Sequence, residues 1–178
     1  MAITRIGPNQ SINLASNITG TLPVGNGGTA ITSGFINGTA TPGKVLQVIN
    51  STRSSNVGTS TQTYVAYLDA TITPSSSSNK IFIAFTGNGY GNSKTIQVGL
   101  FRGGISDTLL NTSVSWNGAS SADYETKALS ISDLDSPSTT SAQIYTVAFR
   151  PIGGDVYAQL GEAGYSVVQN LTLMEIAG

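Results

Sequence analysis

From Lys44 onward the sequence predicts an all-β domain, an antiparallel sandwich or barrel, on three observations. Short apolar runs alternate with period two, clusters of Gly, Ser, Asn, Asp and Pro separate them at regular spacing, and no stretch carries the 3.6-residue period of an amphipathic helix. Ile81, Ile83 and Phe85 alternate with Phe82 and Ala84, and Ile96, Val98 and Leu100 with Thr95, Gln97 and Gly99. A period of two places one set on each face of a sheet.

The runs predict about nine strands, in the manner of a sandwich. They are Val45 to Ser51, Thr63 to Ile72, Ile81 to Phe85, Ile96 to Leu100, Thr108 to Val114, Thr126 to Ser132, Gln143 to Arg150, Asp155 to Leu160 and Ser166 to Ile176. Between them stand Thr73-Pro74 with Ser75 to Ser78, Gly87 to Asn92, Gly103-Gly104, Asn117-Gly118, Ser136-Pro137 and Gly153-Gly154. These residues supply left-handed or pre-set backbone angles where a chain reverses. The runs Tyr64 to Ile72 and Gln143 to Arg150 are apolar at both parities. One face of such a strand meets the internal core, and a second copy of the chain is the simplest cover for the other.

Residues 1–43 read differently. No charged residue occurs between Arg5 and Lys44, yet large apolar residues are sparse: Ile3, Ile6, Ile12, Leu14, Ile18, Leu22, Val24, Ile31, Phe35 and Ile36. Ordering each backbone unit costs roughly 1–2 kcal/mol. Full burial of such a side chain returns only about 1.5–3 kcal/mol. With apolar residues at about one position in four, this segment has no core of its own and acquires structure only against other chains.

Within it, Asn13-Leu14-Ala15-Ser16-Asn17-Ile18-Thr19-Gly20-Thr21-Leu22-Pro23-Val24-Gly25-Asn26-Gly27-Gly28-Thr29 resembles a recurrent element of bacteriophage tail fibres and related virion appendages. Gly43 to Val48 and Ala70 to Ile81 resemble the start of globular fibre heads in phages of aquatic bacteria, and Leu171-Thr172-Leu173-Met174-Glu175-Ile176 their closing strand. The resemblance implies a jelly-roll head, loosely similar to the trimeric C1q and tumour-necrosis-factor type, on an extended anchor or stalk. It implies a homotrimer residing in the virion. Ile3, Ile6, Ile12, Leu14, Ile18, Leu22 and Val24 then hold the fibre to other virion proteins of tail, baseplate or capsid. The Leu22 to Thr29 element occurs once, which makes this a short fibre or a terminal module.

Composition removes several functional classes. Charged residues are 10% of the chain and the net charge is −1, without the basic footprint that tracks phosphates, so no nucleic-acid partner is expected. Cysteine is absent, which excludes disulfides and thiolate metal sites. Histidine is absent too, and with it the usual general base near neutral pH and the commonest metal ligand. No signal peptide and no apolar run of roughly 18 residues is present, so a protein without membrane insertion is expected. Asn17, Asn37, Asn50, Asn111 and Asn170 match the glycan acceptor pattern, a chance outcome in a chain rich in Asn, Ser and Thr.

Candidate sites divide into two kinds. Asp123 and Glu125, with Asp133 or Asp135, are the carboxylates a glycosidase would need, but proximity in sequence supplies no convergent cleft. Ser132 to Ser136 offers oxygen ligands without a full calcium loop. Neither is expected to carry catalysis, a metal or a cofactor. Asn88, Tyr90 and Asn92, expected at a hairpin tip, and Trp116 with Asn117 offer flat rings for stacking and amides for hydroxyl groups. These are the candidates for binding host surface polysaccharide or protein. The expectation is a non-enzymatic short tail fibre for host adsorption; a capsid or tail decoration protein is the alternative, and a polysaccharide depolymerase a weaker one.

Overall fold

A computed structural model describes residues 43–91, 95–115, 126–153, 157–161 and 167–178. The seven anchoring candidates from Ile3 to Val24 lie outside them. Among the described residues every element is a strand: β1 Val45–Arg53, β2 Val57–Thr59, β3 Val65–Ile72, β4 Lys80–Gly91, β5 Thr95–Arg102, β6 Thr108–Ser115, β7 Lys127–Asp135, β8 Gln143–Ile152, β9 Ala158–Leu160 and β10 Gln169–Ile176.

All pairings are antiparallel and form two sheets. The first has the order β1-β10-β4-β7, with β2 and β9 continuing the lines of β1 and β10 past the end of β10. The second has the order β3-β8-β5-β6. Counting each interrupted line once, eight strand positions form two four-wide layers, and every connection between positions crosses the sandwich except the β5–β6 hairpin. This is the jelly-roll arrangement, reached from the strand order alone.

Alternation fills the space between the layers. Ile81, Ile83 and Phe85 of β4, Leu171 and Leu173 of β10 and Leu129 and Ile131 of β7 face Leu68, Ile72, Ile96, Val98, Leu100, Tyr145, Val147 and Phe149 of the second sheet, all buried. Tyr67, the extra residue of a bulge in β3, sets its ring edge-on to Phe85 and Phe149 at 6.5 and 6.2 Å, joining the sheets through one aromatic rung.

Three sequence expectations are corrected. Gly87 to Gly91 is not a hairpin tip, because β4 continues through Gly91, paired with β7 as far as Gly89 and with β9 from Gly89 to Gly91. A Cβ on Gly87 would run into the Gln169 side chain, and one on Gly89 would meet the Gln159 carbonyl at 2.6 Å, so these glycines serve close packing inside a strand. The stretch Ser132 to Asp135 is strand, which carries β7 past the end expected for it at Ser132. Strand β2, three residues around Gly58, escaped detection because it is too short for a period and exists through its pairing with β9.

Glu175 pins the end where the chain enters. It continues the inward parity of Leu171 and Leu173 and is 1% exposed. Its carboxylate accepts from Gln47 Nε2 at 2.6 Å, the Ser75 amide at 2.6 Å, Ser75 Oγ at 2.7 Å and Asn79 Nδ2 at 2.6 Å. Asn79 Oδ1 in turn accepts from the Gly178 amide, and the Gly43 amide donates to the Ala177 carbonyl. One buried group thus ties β1, β10 and the β3–β4 connection together. Burial alone raises a carboxyl pKa, but the donors outweigh it and hold Glu175 at about 2, below its ordinary 4.5.

Glu175→Ala leaves several buried donors unpaired and should cost about 2–4 kcal/mol in chemical denaturation. In the unfolded chain Glu175 takes up its proton at higher pH than in the fold. Its contribution is therefore complete above pH 4.5 and fades as pH falls toward 2. The denaturation midpoint of the wild type should drop over that window more steeply than that of Glu175→Gln.

Candidate interaction surfaces

The register gives the sandwich two unlike ends. Gly43, Ala177 and the connection 73–79 mark one. At the other, Gly89 pairs with Lys127 and Leu160, Ile96 with Ser115, and Thr95 with Ile152. The strand ends that flank Asn92 and Trp116-Asn117 therefore lie at one end of the fold, although these stretches stand far apart in sequence. Asn92, Trp116 and Asn117 themselves lie outside the described residues.

Asn88 and Tyr90 belong to the last part of β4. Asn88 is half-buried; its Oδ1 accepts from Gln169 Nε2 at 3.0 Å and its carbonyl from the Gly161 amide at 3.0 Å. Buried Gln159 adjoins this network, accepting from the Tyr157 hydroxyl at 2.9 Å and donating to the Gly161 carbonyl at 3.0 Å. The carboxamide of Asn88 thus supports the floor of this end. Sequence reading does not single out Gln169, whose signal is its inward parity with Leu171 and Leu173 in β10, or Gln159, which stands between the core residues Ala158 and Leu160 in β9.

The carboxylates do not converge. Asp135 is buried and accepts from Arg102 Nη1 at 3.1 Å on both oxygens and from the Tyr145 hydroxyl at 2.7 Å, a clamp between the two sheets. Burial and the adjoining carboxylate push the Tyr145 phenol well above its ordinary range, with Arg102 opposing. Asp133 Oδ1 caps the Leu134 amide at 2.8 Å. Asp123 and Glu125 lie outside the described residues, among which no group of three or more His, Cys, Asp or Glu could hold a metal ion.

The outer faces of the sheets differ. On the second sheet, Thr146 and Ala148 point outward yet are buried. Tyr64 lies across this face, edge-on to Phe101 at 5.0 Å, under the Arg150 guanidinium at 4.7 Å. Gly99 leaves the room, since a Cβ there would stand 2.8 Å from the Tyr64 ring. The chain itself thus covers the middle of β8, and the doubly apolar run at Gln143 to Arg150 does not require a second copy at that place. On the first sheet, Val48, Met174, Phe82 and Leu134 pair in register across all four strands and point outward. Val48 is 54% and Leu134 49% exposed. The adjoining row, Asn50, Thr172, Ala84 and Ser132, is small and uncharged.

The architecture defines a jelly-roll β-sandwich. No protein-family sequence model matches the chain, and no curated protein does. Among solved structures it is similar to the infectious bursal disease virus VP2 subviral particle, with 11% identity over 74% of this chain and 37% of that one, TM-score 0.37. A structure of the same virus, Gt strain, matches at 10% identity over 94% and 47%, TM-score 0.34. The chain spans less than half the length of either.

If Asp135 is a structural clamp, Arg102→Ala should cost about 3–5 kcal/mol by leaving a buried charge unpaired. Tyr145→Phe should cost only about 1–3 kcal/mol, because Arg102 stays in place. Denaturant titration of the two variants checks the order.

Proposed function

We propose that this chain is a non-enzymatic structural protein of a bacteriophage particle, a homotrimeric short tail fibre whose head adsorbs to host surface polysaccharide or protein. The observation that carries the reading is the two-ended head. The chain enters beside Ala177, while the strand ends flanking the candidate binding stretches Tyr90 to Asn92 and Trp116-Asn117 stand at the far end. A jelly roll so oriented can be held at one end and present loops at the other.

Residues 13–29, with their likeness to phage fibre elements and their lack of charge, suit attachment to other virion proteins without desolvating ions. Multivalent contact supplies the affinity. Three heads per fibre and several fibres per particle raise avidity by roughly 10²–10⁴ over a single weak contact. A depolymerase has less to work with, since Asp135 is spent on Arg102 and Tyr145.

Light scattering on the purified chain should give three times the 18.3 kDa chain mass at micromolar concentration; a stable folded monomer would remove the trimer. A chain lacking residues 1–43 should stay folded but be missing from particles, as judged by electron microscopy with antibody labelling. Normal incorporation would show that attachment lies elsewhere.

A further inference from the structure

We infer that the outer face of the β1-β10-β4-β7 sheet is the surface through which copies of this chain associate. This rests on the homotrimeric reading and names the face responsible. At the level of Ile81 the sheet is inverted: its interior row is Gln47, Glu175, Ile81 and Asp135, two carboxylates among them, while the next row, facing out, is Val48, Met174, Phe82 and Leu134. A sheet facing water carries its polar residues outside. Here the acids are inside, fully bonded, and large apolar side chains are outside, in line across the full width.

A second copy is the occupant that the charges favour. Among the described outward positions of this sheet, Lys80 at the end of β4 is the only charged residue, so three copies can turn this face toward a common axis without desolvating ion pairs. The other sheet carries Asp69 and Arg150 outward and is already overlaid by Tyr64. The area is adequate. Four strands at about 4.8 Å spacing and eight residues at about 3.3 Å rise give a projection of roughly 500 Å². Side-chain relief brings this toward the roughly 800 Å² per partner of a stable interface.

The absence of cysteine gives a clean test in the full chain. Leu134 and Ile144 have equal exposure in a single chain, 49% and 48%, on opposite sheets. Leu134→Cys should react with a maleimide at least ten-fold more slowly than Ile144→Cys, and Leu134→Lys with Met174→Lys should lower the scattering mass toward one chain while Ile144→Lys does not. Equal labelling in a trimer would overturn this face and leave the trimer standing. Equal labelling in a monomer would overturn both. Protection of Leu134→Cys in a protein that scatters as a single chain would show a cover other than a second copy and also overturn the inference.

Discussion

The pairing of β4 with β10 on one edge and with β7 on the other fixes what each residue of the first sheet faces. With a side-chain period of two, burial of Ile81, Ile83 and Phe85 forces Phe82 and Ala84 outward, and antiparallel register carries the same choice to Met174 and Leu134. A slip of one residue would bring Phe82 and Met174 inside but would expel Phe85, Leu171, Leu173 and the satisfied carboxylates. The core therefore tolerates an apolar outer row in order to keep its own set.

That constraint explains why two acids lie within the sandwich. Cysteine is absent and no cross-link holds the layers, so the ends must be closed by packing and hydrogen bonds. Glu175 gathers donors from β1 and from the β3–β4 connection, and Asp135 takes Arg102 and Tyr145 from the opposite sheet. Both flank Ile81 in one row. A half-satisfied buried carboxylate is worse than an apolar residue, whereas a fully satisfied one admits a single arrangement of its partners. These two groups therefore fix where the strands stop.

Much of this was legible beforehand and some of it could not be. Alternation at Ile81 to Phe85 and Ile96 to Leu100 marks strands without help from the rest of the chain, because burial of one face is a local pattern. The extension of β4 through Gly87 and Gly89 was not legible. Glycine in sequence reads as a turn, and only the proximity of Gln169, Gln159 and Leu160 shows that it admits a neighbour. Glu175 sits at the parity of Leu171 and Leu173, a hint of burial, but its donors Gln47, Ser75 and Asn79 come from distant positions. The cover of β8 by Tyr64 likewise depends on a gap at Gly99 that sequence does not display as a contact. Of the candidate binding residues, Asn88 stands out in sequence by composition alone, and its place beside Gln169 follows from register.

The same economy of charge shapes both surfaces. With charged residues at one position in ten, the chain cannot steer a partner over long distances or hold it by ion pairs. Contact must come from shape, apolar area and hydrogen bonds, all of which act only when surfaces meet. An outer sheet that carries one charge, Lys80, among its described outward positions suits a lasting partner, since few groups on it resist desolvation. The far end, floored by Asn88, Gln159 and Gln169 and bounded by the strand ends flanking Tyr90 and Trp116, suits contacts made one at a time. A single such contact without charge is weak and reversible, and it becomes useful only when copies are held together. If copies associate through the apolar row at Val48, Met174, Phe82 and Leu134, that row does for affinity what no single loop residue does: it brings several weak sites to one point.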